Sequence, residues 1–357
     1  MRNLPTAFFL ACAWFWCIGG FFPVLLEHDF GPVAFMVFFI VNVTGAALFG
    51  FVLDAQKRIR FLERFAPSAQ LFSVVVIAYH FVFISWITTL LGTPWPIIGF
   101  IAATGAFIAL RHSLISLSIG VFVVTVALFV MALSYPAPIA PPTPIADGFI
   151  HYILPLALGF LLAPYFDLTF HRAFAESPNP RLSFLIGFGG LFALLLVGMF
   201  FATPIFSALI TQQGLTNPAL QLLVTLLVLQ TSFTTAAHVR ELEGSRWLKM
   251  KFALPTVVSI CLLCSFHFAV AWLAPAFKFA FGDLIYRTLL FVIGVLFPVN
   301  LIFGGINRRT LIAAALLTPC YTLGFLIGGP YAPALSIGMA ALAIMMYVWR
   351  ANVFRAV

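Results

Sequence analysis

The sequence predicts an all-α, polytopic membrane protein of about twelve transmembrane helices. Three observations carry that prediction. The 357 residues are 63% hydrophobic and 8% charged, against roughly 25% charged in an ordinary soluble protein. Apolar runs such as Ser73 to Ile84 are continuous and do not alternate as the strands of a membrane barrel do. The basic residues sort to one side of the predicted membrane. A soluble domain cannot cover itself with so few charges, and a disordered chain needs low hydrophobicity and high charge.

A membrane-crossing helix takes roughly 20 apolar residues, and the chain offers twelve such runs joined by short connections. They fall at 7–26, 32–53, 69–92, 95–110, 114–134, 149–166, 182–203, 217–238, 252–274, 284–304, 310–329 and 332–349. With the N-terminus taken as cytoplasmic, 16 of the 18 basic residues fall on that side, and only Lys278 and Arg287 fall outside. This is the positive-inside pattern, and it places both termini in the cytoplasm of a cell (inner) membrane protein. The net charge of +8 is then a topology signal and a contact for anionic lipid headgroups, not for nucleic acid. Ala11-Cys12-Ala13 looks like a signal-cleavage site. The apolar stretch before it is too short, however, and the run continues through Trp14 and Phe15, so the first run is expected to stay as a span.

Tyr135 to Gly148 holds five prolines and one acid, and it lies outside between spans 5 and 6. It forms a seam between two halves of five spans. A five-span unit has odd parity, so its repeat must run inverted in the membrane. The predicted organisation is a first five-helix repeat at 1–134, an inverted second repeat at 149–304, and two additional C-terminal helices at 310–349.

Asp54, Asp167 and Arg287 are predicted at span ends, with no acid at mid-membrane. His80, His151, His171, His238 and His267 are spread over different spans and depths. Neither a metal centre nor a hydrolytic site is expected from them, so the chain is predicted not to be an enzyme and to hold no cofactor beyond a possible Na⁺. The five Cys residues lie in apolar runs and suit packing; Cys261-x-x-Cys264 is the one pair with metal or redox spacing, and no second pair accompanies it.

Backbone, hydroxyls and aromatics remain. Helices broken mid-membrane expose carbonyls and amides that can hold ions and solutes. Span 1 carries Gly19-Gly20-Phe21-Phe22-Pro23, and span 6 carries Pro155, Gly159 and Pro164. Spans 1 and 6 are the pair that a five-plus-five repeat relates. Unwinding is expected near Cys17 to Gly20 and near Pro155 to Gly159, although Gly and Pro also serve helix packing and kinks. Span 8 carries Gln230-Thr231-Ser232-Phe233-Thr234-Thr235, with Thr225 nearly two turns earlier. Such oxygens suit a hard cation, and they also bond back to their own helix.

These residues resemble a known family. Phe22-Pro23-Val24, the polar stretch Glu27-His28-Asp29-Phe30-Gly31 and Ala34-Phe35-Met36 look like the first hairpin of the neurotransmitter:sodium symporters, which have the LeuT fold. Phe81-Val82-Phe83-Ile84-Ser85-Trp86 is similar to that family's aromatic, substrate-facing stretch. Glu241-Leu242-Glu243-Gly244-Ser245-Arg246 resembles its loop after span 8, and Glu176-Ser177-Pro178-Asn179-Pro180-Arg181 is like the amino-acid permeases that share the fold. The resemblance implies a sodium site from backbone carbonyls near Ala11 and Trp14 and from the span-8 hydroxyls Thr231, Ser232 and Thr225. It implies substrate contacts from Trp16, Cys17, Gly19, Gly20 and Phe81 and from span 6 at Pro155, Gly159 and Phe160. Two departures stand out. Ile18 occupies about the place of the family's Asn, and Phe21 replaces the Arg of its outer gate.

The expected function is therefore alternating-access secondary transport of a small neutral or zwitterionic, amino-acid-like solute, coupled to Na⁺. Two alternatives accompany it. One is a major-facilitator-type permease, since Gly50-x-x-x-Asp54-x-x-Lys57-Arg58 resembles that fold's loop between spans 2 and 3. The other is a receptor or assembly subunit that keeps a transporter fold without transporting.

Overall fold

The computed structural model describes residues 3–136, 149–211, 214–243, 286–327 and 331–354. Among them the regular structure is helical and no strand occurs. We number the helices α1 (Asn3–Trp14), α2 (Cys17–Phe30), α3 (Pro32–Val52), α4 (Ala55–Leu91), α5 (Trp95–Ala109), α6 (Arg111–Leu133) and α7 (Ile150–Phe166). The rest are α8 (Leu168–Glu176), α9 (Pro180–Thr211), α10 (Pro218–Leu242), α11 (Tyr286–Phe303), α12 (Arg308–Tyr321) and α13 (Pro333–Phe354).

Six of these helices are long and apolar enough to cross a membrane, and two bent pairs raise the number to eight. The outward faces carry Ile150 (75% exposed), Ile337 and Val130 where a water-soluble protein would place charge. That is the pattern of a surface solvated by lipid. The chain is a membrane-embedded helical protein.

Polar signals set the helix boundaries. Pro32, Pro180 and Pro218 start α3, α9 and α10 within the first turn, where the missing N–H costs nothing. Asp54, Asn217 and Asn307 cap α4, α10 and α12 by accepting first-turn backbone N–H groups. Gly92 ends α4 with a positive φ of 65°, a conformation that costs an L side chain strain.

The most buried of the long helices is α10, which packs against α4, α5 and α6 and touches α1. In turn α1 packs on α6 and α9, and α7 packs on α3 and α11. At the α7–α11 crossing two glycines meet. A Cβ on Gly159 would lie 3.1 Å from the Gly294 Cα, and one on Gly294 would lie 2.8 Å from the Pro155 carbonyl oxygen.

The bent pairs are α1–α2, turning by 71°, and α7–α8, turning by 56°. The first break flanks the expected stretch Cys17 to Gly20, whereas the second falls just past span 6 and not at Pro155 to Gly159. In the first pair the helix stops at Phe15 and Trp16, Cys17–Gly20 forms a single helical turn, and Phe21 interrupts the helix once more before Phe22. Gly19 and Gly20 serve close packing there: a Cβ would come within 2.9 Å of Phe192 and 2.6 Å of Leu227 respectively. In the second pair the helix runs straight through Pro155 and Gly159 and bends at Asp167. At Pro155 the helix packs closely on α11, with Gly294 against the Pro155 carbonyl. Pro164, in the last turn of α7, is the span-6 interruption next to the bend. The segment 252–274, with Cys261 and Cys264, lies outside the described residues, as do His267, Arg246 and Lys278.

Candidate functional site

Two features meet at the α1–α2 bend: a narrow aromatic cavity, and a string of buried polar groups that runs on to the α7–α8 bend. The cavity is lined by Cys17, Phe21, Phe22, Leu25, Tyr79, Phe83, Trp86, Tyr286 and Leu289. Its walls come from α2, α4 and α11. The side chains of Cys17 and Tyr79 both lie on its wall. Three aromatic rings of α4, Tyr79, Phe83 and Trp86, face Phe21 across it or stack on one another.

The cavity is capped at the far end of α2. Arg287 donates to Asp29 at 3.1 Å and to the Phe325 carbonyl at 2.6 Å, and the Tyr286 hydroxyl also binds Asp29. The guanidinium sits over the Phe325 ring, 5.3 Å from its centroid. At the opposite end, Arg172 of α8 binds Glu241 of α10 and reaches Glu176 at 3.4 Å, and Arg240 reaches Glu176 at 3.4 Å. There Asn3, at the start of α1, accepts from the Asn179 N–H at 3.0 Å and from the Ser177 hydroxyl at 3.2 Å.

The polar string begins at the α7–α8 bend. Asp167 caps α8: its Oδ1 accepts from the Thr169 N–H and hydroxyl, both at 2.7 Å. The carboxyl is fully buried, and Oδ2 has no hydrogen-bond partner. Oδ2 faces Nε2 of His238 at 4.0 Å. The other His238 nitrogen, Nδ1, bonds Ser73 of α4 at 3.0 Å. One helical turn earlier on α10, Thr235 bonds His80 Nδ1 at 2.7 Å. The Trp16 ring, at the α1–α2 break, stands edge-on to His80 with centroids 4.6 Å apart. Trp16 Nε1, His80 Nε2, His238 Nε2 and Thr231 Oγ1 are all buried without a partner. Burying a polar atom unpaired is costly, which makes this string a candidate functional site.

Asp167 directly follows the last residue of α7 and is fully buried at the helix bend. One sequence-based expectation is corrected here. Of the histidines expected to lie apart, His80 and His238 join Asp167 in one string. The readable signals were Pro164 followed by the helix-restart pair Asp167 and Thr169, and Thr235 three residues before His238 on one helix face.

The predicted sodium-site residues separate. Thr225 is exposed and bonds back to the Gln221 carbonyl at 2.8 Å. Ser232 turns to the Phe100 carbonyl of α5 at 3.3 Å. The span-8 hydroxyl that reaches span 1 is Thr234, on the Cys12 carbonyl at 3.2 Å. Ala11 and Trp14 are fully buried, and the Trp14 indole donates to Asn42 Oδ1 at 2.7 Å. Of the predicted substrate residues, Cys17 lines the cavity and Trp16 joins the string. Phe81 points instead to Phe100, and Phe160 packs between Phe22 and Phe38. Pro155 lines a separate apolar cleft with Leu26, Tyr152 and Phe325. Among the described residues no three of His, Cys, Asp and Glu converge as metal ligands would.

Compared with known proteins, the chain matches no family model, no curated protein and no solved structure.

Proposed function

We propose that the chain is a secondary transporter of a small neutral or zwitterionic solute with an apolar part, working by alternating access and coupled to a cation. In this reading it has twelve spans in a LeuT-like five-plus-five inverted arrangement with two further C-terminal helices, and both termini are cytoplasmic. The observation that carries it is the aromatic cavity that α2, α4 and α11 enclose beside the α1–α2 bend, capped by the Arg287–Asp29 pair. The α1–α2 pair contributes to the cavity wall, to the Asp29 cap and, through Asn3, to the opposite seal. A rocking motion of that pair would open one end while the other stays shut, which is the geometry alternating access requires. The cavity walls carry no charged side chain, which suits a solute without net charge. The break inside span 1 at Phe15 and Trp16 favours this arrangement over a six-plus-six permease.

The test is uptake into liposomes of a panel of radiolabelled neutral amino acids, betaines and small polyols. Saturable uptake of one of them, absent from protein-free liposomes, supports the reading. Binding to the purified protein without uptake makes it a receptor, and neither binding nor uptake overturns it.

A further inference from the structure

We infer that Asp167, His238 and His80 form a buried proton-binding site, and that the cation moved with the solute is H⁺. The coupling half rests on the transporter reading, whereas the proton site is a property of the folded chain.

The site can be built atom by atom. Asp167 spends Oδ1 on the Thr169 N–H and hydroxyl and turns the unpartnered Oδ2 to His238 Nε2 at 4.0 Å. The Thr235 hydroxyl donates to the Thr231 carbonyl at 2.8 Å, so its oxygen accepts from His80 Nδ1. That assignment leaves His80 Nε2 with a bare lone pair and no partner. With His238 Nδ1–H donating to the Ser73 hydroxyl, the string offers three unfilled positions for a proton: Oδ2 of Asp167, Nε2 of His238 and Nε2 of His80.

Charge counting says that one of them is filled. With Asp167 ionised and both imidazoles neutral, the string bears one buried negative charge. The nearby cations are committed elsewhere: Arg172 to Glu241 and Glu176, and Arg240 to Glu176. A bare buried charge costs several kcal/mol, and a single added proton neutralises it. On Oδ2 the proton makes a carboxylic acid aimed at His238. When it moves to His238 Nε2, the O–H bond breaks, its electron pair stays on Oδ2, and an N–H bond forms. The string stays neutral throughout.

The same geometry disfavours a sodium ion at Asp167. A hard cation gathers several oxygens, whereas the polar atom nearest Oδ2 is an imidazole nitrogen and Oδ1 already accepts twice. The other ionisable neighbours are few. Glu241, Arg240 and Arg172 lie toward the α8 end. His171 bonds the Tyr165 carbonyl at 2.8 Å, and Arg58 bonds the His171 carbonyl at 3.4 Å. Tyr79 and Cys17 lie toward the cavity, and the Cys12 thiol turns to the Ser118 carbonyl of α6. Neither α3 nor the Phe297–Phe303 part of α11 brings an ionisable group.

The string also meets the solute cavity. Trp16 covers His80, and the next residue in each case, Cys17 or the preceding Tyr79, lines the cavity wall. At its other end Asp167 is the hinge of α7–α8. A proton on this string thus touches both the solute and a moving joint, which is what coupling needs.

The experiment has two arms, run on the full-length protein and on Asp167→Asn and His238→Gln. In the first, infrared spectra of purified protein are recorded across a pH series. A carboxylic-acid band that fades as pH rises and is missing in Asp167→Asn is expected, and His238→Gln should move its midpoint. In the second, the solute taken up most strongly from the panel is offered to proteoliposomes without Na⁺. At one proton per solute, a pH gradient of about one unit sustains about tenfold accumulation, and Asp167→Asn should equilibrate without accumulating. No titrating band attributable to Asp167 overturns the site. Accumulation that follows Na⁺ and ignores pH overturns the coupling. A titrating band with no uptake under any gradient upholds the site and removes the transporter reading. Should Asp167→Asn fail to fold, His80→Gln, which keeps the acid, carries the test: the band midpoint and the accumulation should both change.

Discussion

Arg287 meets Asp29 at 3.1 Å although 258 positions separate them in the chain. The pair ties the end of α2 to the start of α11 directly above the aromatic cavity. Each side chain is 16% exposed, so water screens the pair only in part. A pair of this kind contributes about 1 kcal/mol, which corresponds to about a fivefold change in the open population. Arg287→Ala should therefore raise the labelling rate of Cys17, a cavity-wall thiol, by about that factor. Mass spectrometry of alkylated Cys17, with reagent added from the α2 end, reads the effect. Restored slow labelling in the charge-swapped Asp29→Arg, Arg287→Asp protein would show that the ion pair, not the loss of bulk, sets the rate. Unchanged labelling in Arg287→Ala would remove the pair as a gate.

The crossing of α7 and α11 is held by absence of side chains. Because a Cβ on Gly294 would lie 2.8 Å from the Pro155 carbonyl oxygen, backbone must move to admit it. Gly294→Val should lower stability by about 1–3 kcal/mol, the usual cost of overpacking. Gly120 is the matched control, with nothing within 4 Å of its would-be Cβ. There, Gly120→Ala should be neutral or mildly stabilising, since alanine suits a helix better than glycine. Thermal unfolding in one detergent compares the two. Equal stability of Gly294→Val and the parent would refute the close crossing.

How far the sequence disclosed this arrangement depends on the kind of signal. The apolar run 95–110 appears as Trp95–Ala109, and 217–238 as Pro218–Leu242, because proline and asparagine at the ends fix the helix starts. The helix behind run 69–92 begins fourteen residues earlier, at Ala55. Asp54 caps it and the basic stretch Lys57 to Arg64 is helical, which hydropathy alone does not reveal. Breaks were sought at Gly and Pro. One fell at Asp167, where a carboxylate restarts the helix, and in the other the glycines proved to be contact points for Phe192 and Leu227. The polar string was hidden for another reason. His80 and Thr235 are 155 positions apart, and only the packing of α4 on α10 brings them together.

Thr234 and Ser232 lie two positions apart on α10 but serve different neighbours. Thr234 reaches the Cys12 carbonyl next to the α1–α2 break, and Ser232 reaches Phe100 on α5. Thr234→Val should therefore change the cation dependence of uptake, while Ser232→Ala should leave it unaltered. Hydrogen bonds between membrane helices contribute about 0.6 kcal/mol on average, so both proteins should stay folded. The measurement is uptake against pH and against Na⁺ concentration for the two variants side by side. A larger shift from Ser232→Ala than from Thr234→Val would contradict the placement.

Glu241 closes the opposite end. Its side chain is 9% exposed and binds Arg172, which also holds Glu176 at 3.4 Å. The contact fastens α8, the short arm beyond the Asp167 hinge, to α10. Glu241→Gln keeps the shape and deletes the charge, leaving Arg172 with the weaker Glu176 pair. The arm should then open more often. A loss of about 1.4 kcal/mol corresponds to tenfold faster amide exchange over Leu168–Glu176, because local opening sets that rate. Arg111→Ala is the control: its pair with Glu243 is 32% and 42% exposed, and exposed pairs contribute little. That variant should leave exchange in α8 unchanged. The two gates should also be separable. Glu241→Gln should not speed Cys17 labelling from the α2 end, and Arg287→Ala should not speed exchange in α8. If either substitution loosens both ends together, the ends do not act as alternating gates and the bent pairs move as one block.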